Sequence, residues 1–314
     1  MKAERKTVPI EVSISGRVVE SYGRRALIET AQGLQQKASV FGKRLQIVCG
    51  DRVAMRRAAG SDEYQIASIE PRKTVFARTD SRGVSEPLAA NLNLLAVIVA
   101  PEPESDLFIV DRYLAGAAYA QLRSLVIINK VDVPAFDAGP LGQAATEYRE
   151  AGYPVLQVSA ATGAGIAELR ALLKNEVALF AGQSGVGKTT LTNALVPESL
   201  RPTRTLSIAT GEGRHTTVSA ALLKLPGGGE LIDSPGVRDY APPPLADANV
   251  QYGWKEIVAL SAQCRFHDCL HLREPGCAVL AAVAEKRIAP RRYESYKRLL
   301  NVMRGLVPSY ERNR

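Results

Sequence analysis

Gly182-Gln183-Ser184-Gly185-Val186-Gly187-Lys188-Thr189 follows the apolar run Val177 to Ala181 and runs into a helix-forming stretch, Lys188 to Leu195. A buried strand, a glycine-rich turn and a helix in that order restrict the chain to an α/β architecture with an anion cradle at a strand's carboxyl end. The glycines permit the tight turn that points consecutive backbone N–H groups and the helix N-terminus at a phosphate. Lys188 is then placed to reach the β- and γ-phosphates as a catalytic cation. The Thr189 hydroxyl, followed by Thr190, is placed to bind Mg2+.

The residues that would choose the base come earlier in the chain. Asn129-Lys130-Val131-Asp132 follows the apolar strand Leu125 to Ile128. The Asp132 carboxylate can accept from guanine N1–H and its 2-amino group, donors that adenine does not present there. The Lys130 stem can cover the base while Asn129 braces the loops. Alone, Asn-Lys-x-Asp is also ordinary turn chemistry. Ser159-Ala160, after the next strand, adds a backbone N–H for guanine O6 and makes the pair specific.

Asp233-Ser234-Pro235-Gly236 lies 45 residues beyond Lys188; Asp233 would hold a Mg2+-bound water and the Gly236 N–H would meet the γ-phosphate. Between them, Gly213-Arg214-His215-Thr216-Thr217 supplies a second switch-like segment, with Thr217 preferred over Thr216 for the Mg2+ shell. The parts of a GTP site are therefore present in rotated order, as a circular permutation would leave them. The position after Gly236, where many GTPases orient water with Gln, is Val237, so intrinsic hydrolysis should be slow. His215 is the nearest replacement for positioning the attacking water.

Cys264-x4-Cys269-x-His271-x5-Cys277 gathers three thiols and an imidazole within fourteen residues. Such a set fills a tetrahedral zinc shell with no open position, which makes one structural zinc the expectation. His267 is a competing ligand, and Cys49, isolated beside Gly50, reads as a small buried core residue.

Charge is segregated by position. Residues 1–73 carry 14 basic and 8 acidic groups, residues 74–285 carry 17 and 22, and residues 286–314 carry 9 and 2. Basic ends around an acidic centre suit modules that hold a polyanion about a domain with a small anionic ligand. The longest apolar run, Leu94 to Ala100, is far short of a bilayer span, and the amino terminus resembles no secretory signal. A soluble, cytoplasmic, monomeric protein with no membrane or DNA partner is expected.

Three domains are expected. Residues 1–74 read as about five short strands, Glu11 to Glu20, Arg24 to Thr30, Leu45 to Val48, Arg52 to Arg57 and Tyr64 to Ile69. They favour a small barrel of oligonucleotide-binding (OB) type, with an SH3-like barrel as the alternative. Residues 75–240 alternate apolar runs with helical stretches, the mark of a parallel α/β sheet. Residues 241–314 open on Pro242-Pro243-Pro244 and hold Trp254, the Cys/His cluster and a basic helical tail from near Pro290, a mostly α-helical zinc-binding unit.

The permuted order from Asn129 through Ser159, Gly182 to Thr189, Gly213 to Thr217 and Asp233 to Gly236, continued by the Cys/His array, resembles the bacterial small ribosomal subunit biogenesis GTPases. The resemblance covers nearly the whole chain. It implies a late assembly factor that binds the 30S subunit, its 16S rRNA and ribosomal proteins, in the GTP state. Hydrolysis would be stimulated by the subunit and followed by release, with His215 catalytic and Val237 the hydrophobic replacement. Two other classes stand beside it: a GTP-regulated RNA-binding scaffold whose hydrolysis is incidental, and a phosphotransferase, in which Asn129 to Asp132 would have no role. Because Gly236 leads within a few residues to the prolines, GTP is also expected to set the orientation of the zinc unit.

Overall fold

Alternation of inward apolar and outward polar residues builds the amino-terminal strands. In β2 (Arg25–Thr30) Ala26, Ile28 and Thr30 point inward, and in β4 (Arg52–Arg57) Val53 and Met55 do so. With β1 (Ile14–Tyr22), β3 (Gln35–Val40) and β5 (Tyr64–Ile69) they form a sheet in the order β1-β2-β3-β5-β4, closed by β1–β4 pairing. The β3–β5 ladder is parallel and the rest are antiparallel, the connectivity of an OB-type barrel. The SH3-like alternative is set aside. The computed structural model describes residues 14–40, 45–57, 63–80, 83–197, 220–233 and 240–306.

One expected strand is not formed. Leu45 to Val48 is irregular backbone that buries Ile47 and Val48, while the fifth barrel strand is the more polar β3. Pairing on both edges stabilises β3 despite its Gln35-Gln36-Lys37, which carry no apolar alternation.

The central sheet is built on β8 (Leu94–Val99), in which all six side chains are buried, as a strand covered by helices on both faces requires. Around it lie β9 (Arg123–Ile128), β10 (Val155–Gln157), β11 (Val177–Ala181) and β13 (Glu230–Asp233), in the parallel order β10-β9-β8-β11-β13. Helices α1 (Leu107–Tyr119), α3 (Leu141–Glu150), α4 (Ile166–Leu173) and α5 (Lys188–Leu195) alternate with these strands, after a short α2 (Ala135–Ala138). Two features escaped the sequence reading. A hairpin of β6 (Val75–Thr79) and β7 (Ser85–Ala90) precedes the sheet, and β12 (Ala220–Lys224) adds an antiparallel strand beyond β13. The outer edge of β12 pairs with barrel strand β1, so barrel and central sheet share one ladder of strands.

From Tyr240 to Leu306 the regular elements are helical: α6 (Asp247–Val250), a 3-10 turn Gln251–Gly253, α7 (Lys255–Ser261), α8 (Ala278–Ala284) and α9 (Pro290–Leu306). Pro290 suits a first turn, where no N–H is needed, and Tyr293, Tyr296, Leu299, Leu300 and Met303 form the buried stripe of α9. That stripe packs with Val250, Ile257 and Trp254, whose ring lies 5.4 Å from Tyr296 at 78°.

This helical unit is seated on α1 through buried charge. Asp111 accepts from Arg292 at 2.6 Å, Arg291 at 2.7 Å and Ser295 at 2.5 Å. Arg292 also donates to Glu256 at 2.8 Å, and Arg291 to Glu147 at 2.8 Å. Burial alone would discourage the charge on Arg292, but Asp111 and Glu256 hold it protonated. Tyr240, wholly buried, stacks between Phe76 at 4.9 Å and Tyr113 at 4.8 Å.

Candidate functional site: a permuted phosphate and guanine cradle

The motifs converge at the carboxyl edge of the central sheet, where open α/β sheets take ligands. After β11, Gly182 turns at φ +139° and Gly187 at φ +92°, values that side-chain-bearing residues avoid. A Cβ on Gly182 would come 2.3 Å from the Ile98 carbonyl oxygen, and one on Gly187 would come 2.3 Å from Asn129 Nδ2. Both glycines are therefore required by space as well as by backbone angle. The Lys188 ammonium spans the turn, donating to the carbonyls of Gly182 at 2.7 Å and Gln183 at 2.6 Å. Thr189 and Thr190, in the first turn of α5, are exposed, as is Ser184, with Gly185 beside it.

Asn129 joins three motifs. It is 1% exposed, its amide donates to the Val186 carbonyl at 2.9 Å, and its side-chain oxygen accepts from Ala160 N–H at 3.2 Å. One buried amide thus ties the Asn129–Asp132 loop to the glycine-rich loop and to the Ser159-Ala160 loop. Ser159 is buried and accepts from Thr162 N–H at 3.1 Å, while Asp132 stays exposed. Lys130 sits at φ +61° and donates to the Glu102 carbonyl at 2.6 Å.

That contact identifies a segment the sequence reading missed, residues 101–106. Pro103 lies against Gly185, and Asp106 N–H donates to Gln183 Oε1 at 2.7 Å. The Asp106 side chain caps α1 by accepting from Phe108 N–H at 2.9 Å. Its available signal was position: Pro101-Glu102-Pro103-Glu104-Ser105-Asp106 leaves the carboxyl end of the all-apolar β8.

Asp233 ends β13, the parallel neighbour of β11, so it shares the ligand edge with Thr189. Hydroxyl and carboxylate oxygens are the hard donors that Mg2+ takes. His215, Thr216, Thr217, Gly236 and Val237 lie outside the described residues.

In the helical unit, the ligand atoms of Cys264, Cys269, His271 and Cys277 all lie within 4.8 Å of one another, and the four can hold a zinc ion. His271 Nδ1 is 3.6 Å from Cys264 Sγ and 3.4 Å from Cys277 Sγ; His267 is not part of the cluster. The other ring nitrogen faces Gln251 Oε1 at 3.0 Å, which keeps Nδ1 free of a proton for metal. Burial raises Glu274, but N–H groups of Arg273, Leu270, Leu272 and Glu274 itself hold its carboxyl down to about 2, fastening the ligand loop.

A parallel sheet whose guanine-type loop precedes its phosphate loop, flanked by an OB-type barrel and a Cys3His helical unit, defines the class of circularly permuted P-loop GTPases. The RsgA GTPase family model matches residues 69–241. The small ribosomal subunit biogenesis GTPase RsgA of Pseudomonas fluorescens is 40% identical over 292 residues, 91% of this chain and 84% of that one. The same-named protein of Azotobacter vinelandii is 44% identical over 255 residues, 81% and 74% of the two chains. Among solved structures, YjeQ from Thermotoga maritima superposes with a TM-score of 0.72 at 29% identity, covering 94% of this chain and 99% of that one. YloQ, described as a circularly permuted GTPase, shares the fold at a TM-score of 0.70 and 20% identity, over 98% of this chain and 100% of that one. The chain belongs to the RsgA GTPase family and is a GTP-hydrolysing enzyme.

Proposed function

We propose that this enzyme is a late assembly factor of the small ribosomal subunit. It binds the 30S particle with GTP in place, is stimulated by that particle, and leaves after hydrolysis to GDP. Its partners on the particle are 16S rRNA and ribosomal proteins. The observation that carries this reading is the Asn129 tie, which joins three loops at one end of the central sheet, in a chain whose relatives are named for small-subunit biogenesis. In sequence, the basic regions 1–73 and 286–314 flank the residues of that site. On β4, Arg52, Arg56 and Arg57 are exposed, with the Arg57 guanidinium 5.8 Å from the Tyr64 ring, the mixed charge and aromatic surface that RNA favours.

In this reading Gly182 to Thr190 cradle the phosphates, Asn129, Lys130, Asp132, Ser159 and Ala160 hold guanine, and Lys188 neutralises charge in transfer. Thr189, Asp233 and Thr217 would hold Mg2+, which screens the phosphate oxygens when bound. Gly236 meets the γ-phosphate, and His215 positions water where Val237 offers no hydrogen bond. The single zinc at Cys264, Cys269, His271 and Cys277 is structural. Residues 1–74, 75–240 and 241–314 serve as RNA-binding, catalytic and zinc-binding domains.

Hydrolysis measured with added 30S, 50S and 70S particles tests the proposal: only the 30S particle should give strong stimulation, and equal rates with all three would refute it. Asp132→Asn should reduce guanine preference in the same assay by about tenfold or more.

A further inference from the structure

Strand β13 carries Asp233 at one end and Glu230 at the other, and both ends lead to the amino-terminal barrel. Ala221 of β12 pairs with Asp233 on one side and with Glu20 of β1 on the other. Glu20, Ala221 and Asp233 thus occupy one row across three strands. At the usual spacing of ~4.8 Å between strands, the barrel backbone lies about 10 Å from that of Asp233.

The opposite end is held by charge. Arg17 of β1 donates to Glu230 at 2.5 Å, and Lys224, which pairs with Glu230 in the ladder, donates to Glu29 of β2 at 2.7 Å. Beneath them, Val19 and Cys49 of the barrel share a buried apolar cluster with Ala220, Leu222 and Ile232. An outer strand would ordinarily expose a row of unpaired amides. Here the barrel covers the edge of β12, and β12 has partners on both sides.

We propose that the barrel is a positioning element of the nucleotide site: β1 and Arg17 clamp β12 and β13 in the arrangement that presents Asp233 to magnesium. This rests on the assignment of Asp233 above.

The test uses the full chain and a non-hydrolysable GTP analogue, titrated at graded Mg2+, with amide exchange at Ala220 and Ala221 read in parallel. Arg17→Glu should speed that exchange and raise the Mg2+ needed for half-maximal tightening by about threefold, less than the ~10-fold that losing a ligand's own hydrogen-bond partner costs because Arg17 acts from the far end of β13, while Mg2+-free GDP affinity stays put. Adding Glu230→Arg should restore both readouts. Should Arg17→Glu fail to fold, Glu29→Lys with and without Lys224→Glu tests the same edge. Unchanged exchange, faster exchange with a wild-type Mg2+ response, or restored exchange without a restored response would each overturn the proposal. Asp233→Asn separates the two layers: a wild-type Mg2+ response there would sink the assignment of Asp233 rather than the clamp.

Discussion

The central sheet meets its amino-terminal neighbour through a strand edge above a shared apolar cluster, and its carboxyl-terminal neighbour through buried charge. At the barrel joint the ladder has two register pairs, and the ion pairs at its margin keep partial exposure: the Arg17 and Glu230 side chains are 26% and 23% exposed. At the helical joint Arg292 and Asp111 are 1% and 0% exposed, with Tyr148 and Tyr153 rings 5.4 and 5.1 Å from the Arg292 guanidinium. Paired charge withdrawn from water is costly to break, whereas charge at a wet margin is exchanged for hydration at small cost. Breaking a charge pair should therefore cost little at the first joint and much at the second.

The largest effect should come from Asp111→Ala, which strands Arg292 without its closest anion. A loss of about 4 kcal/mol in denaturant unfolding is expected; a loss below about 1 kcal/mol would erase the contrast between joints. Tyr240→Ala empties the slot between Phe76 and Tyr113 and should cost about 3 kcal/mol by the same measurement. Gln251→Leu removes the partner of His271 and should weaken zinc retention against a chelator about tenfold, with the fold intact by circular dichroism. Smallest is Lys224→Ala, whose partner Glu29 lies at the wet margin: under about 0.5 kcal/mol, and smaller still at high salt.

Much of the site was legible because its backbone demands are local. Gly182 and Gly187 must be glycines where the turn needs positive φ, Asp132 and Lys188 lie in the loops that leave apolar strands, and Asp233 ends one. The Cys/His set was legible for the same reason, its four ligands falling within fourteen residues. Other elements carried weaker patterns. Polar β3 lacks alternation, β12 is five residues long, and residues 101–106 bear no motif, so only their neighbours reveal what they do.

Read alone, the chain determined its sequence motifs and that they appear in rotated order, since these depend on residue type and short spacing. Tertiary structure decided which surfaces meet: Arg17 finds Glu230 across 213 residues and Arg292 finds Asp111 across 181. Such pairs cannot be read from spacing, because contact over that separation is set by how strands and helices pack rather than by any local preference.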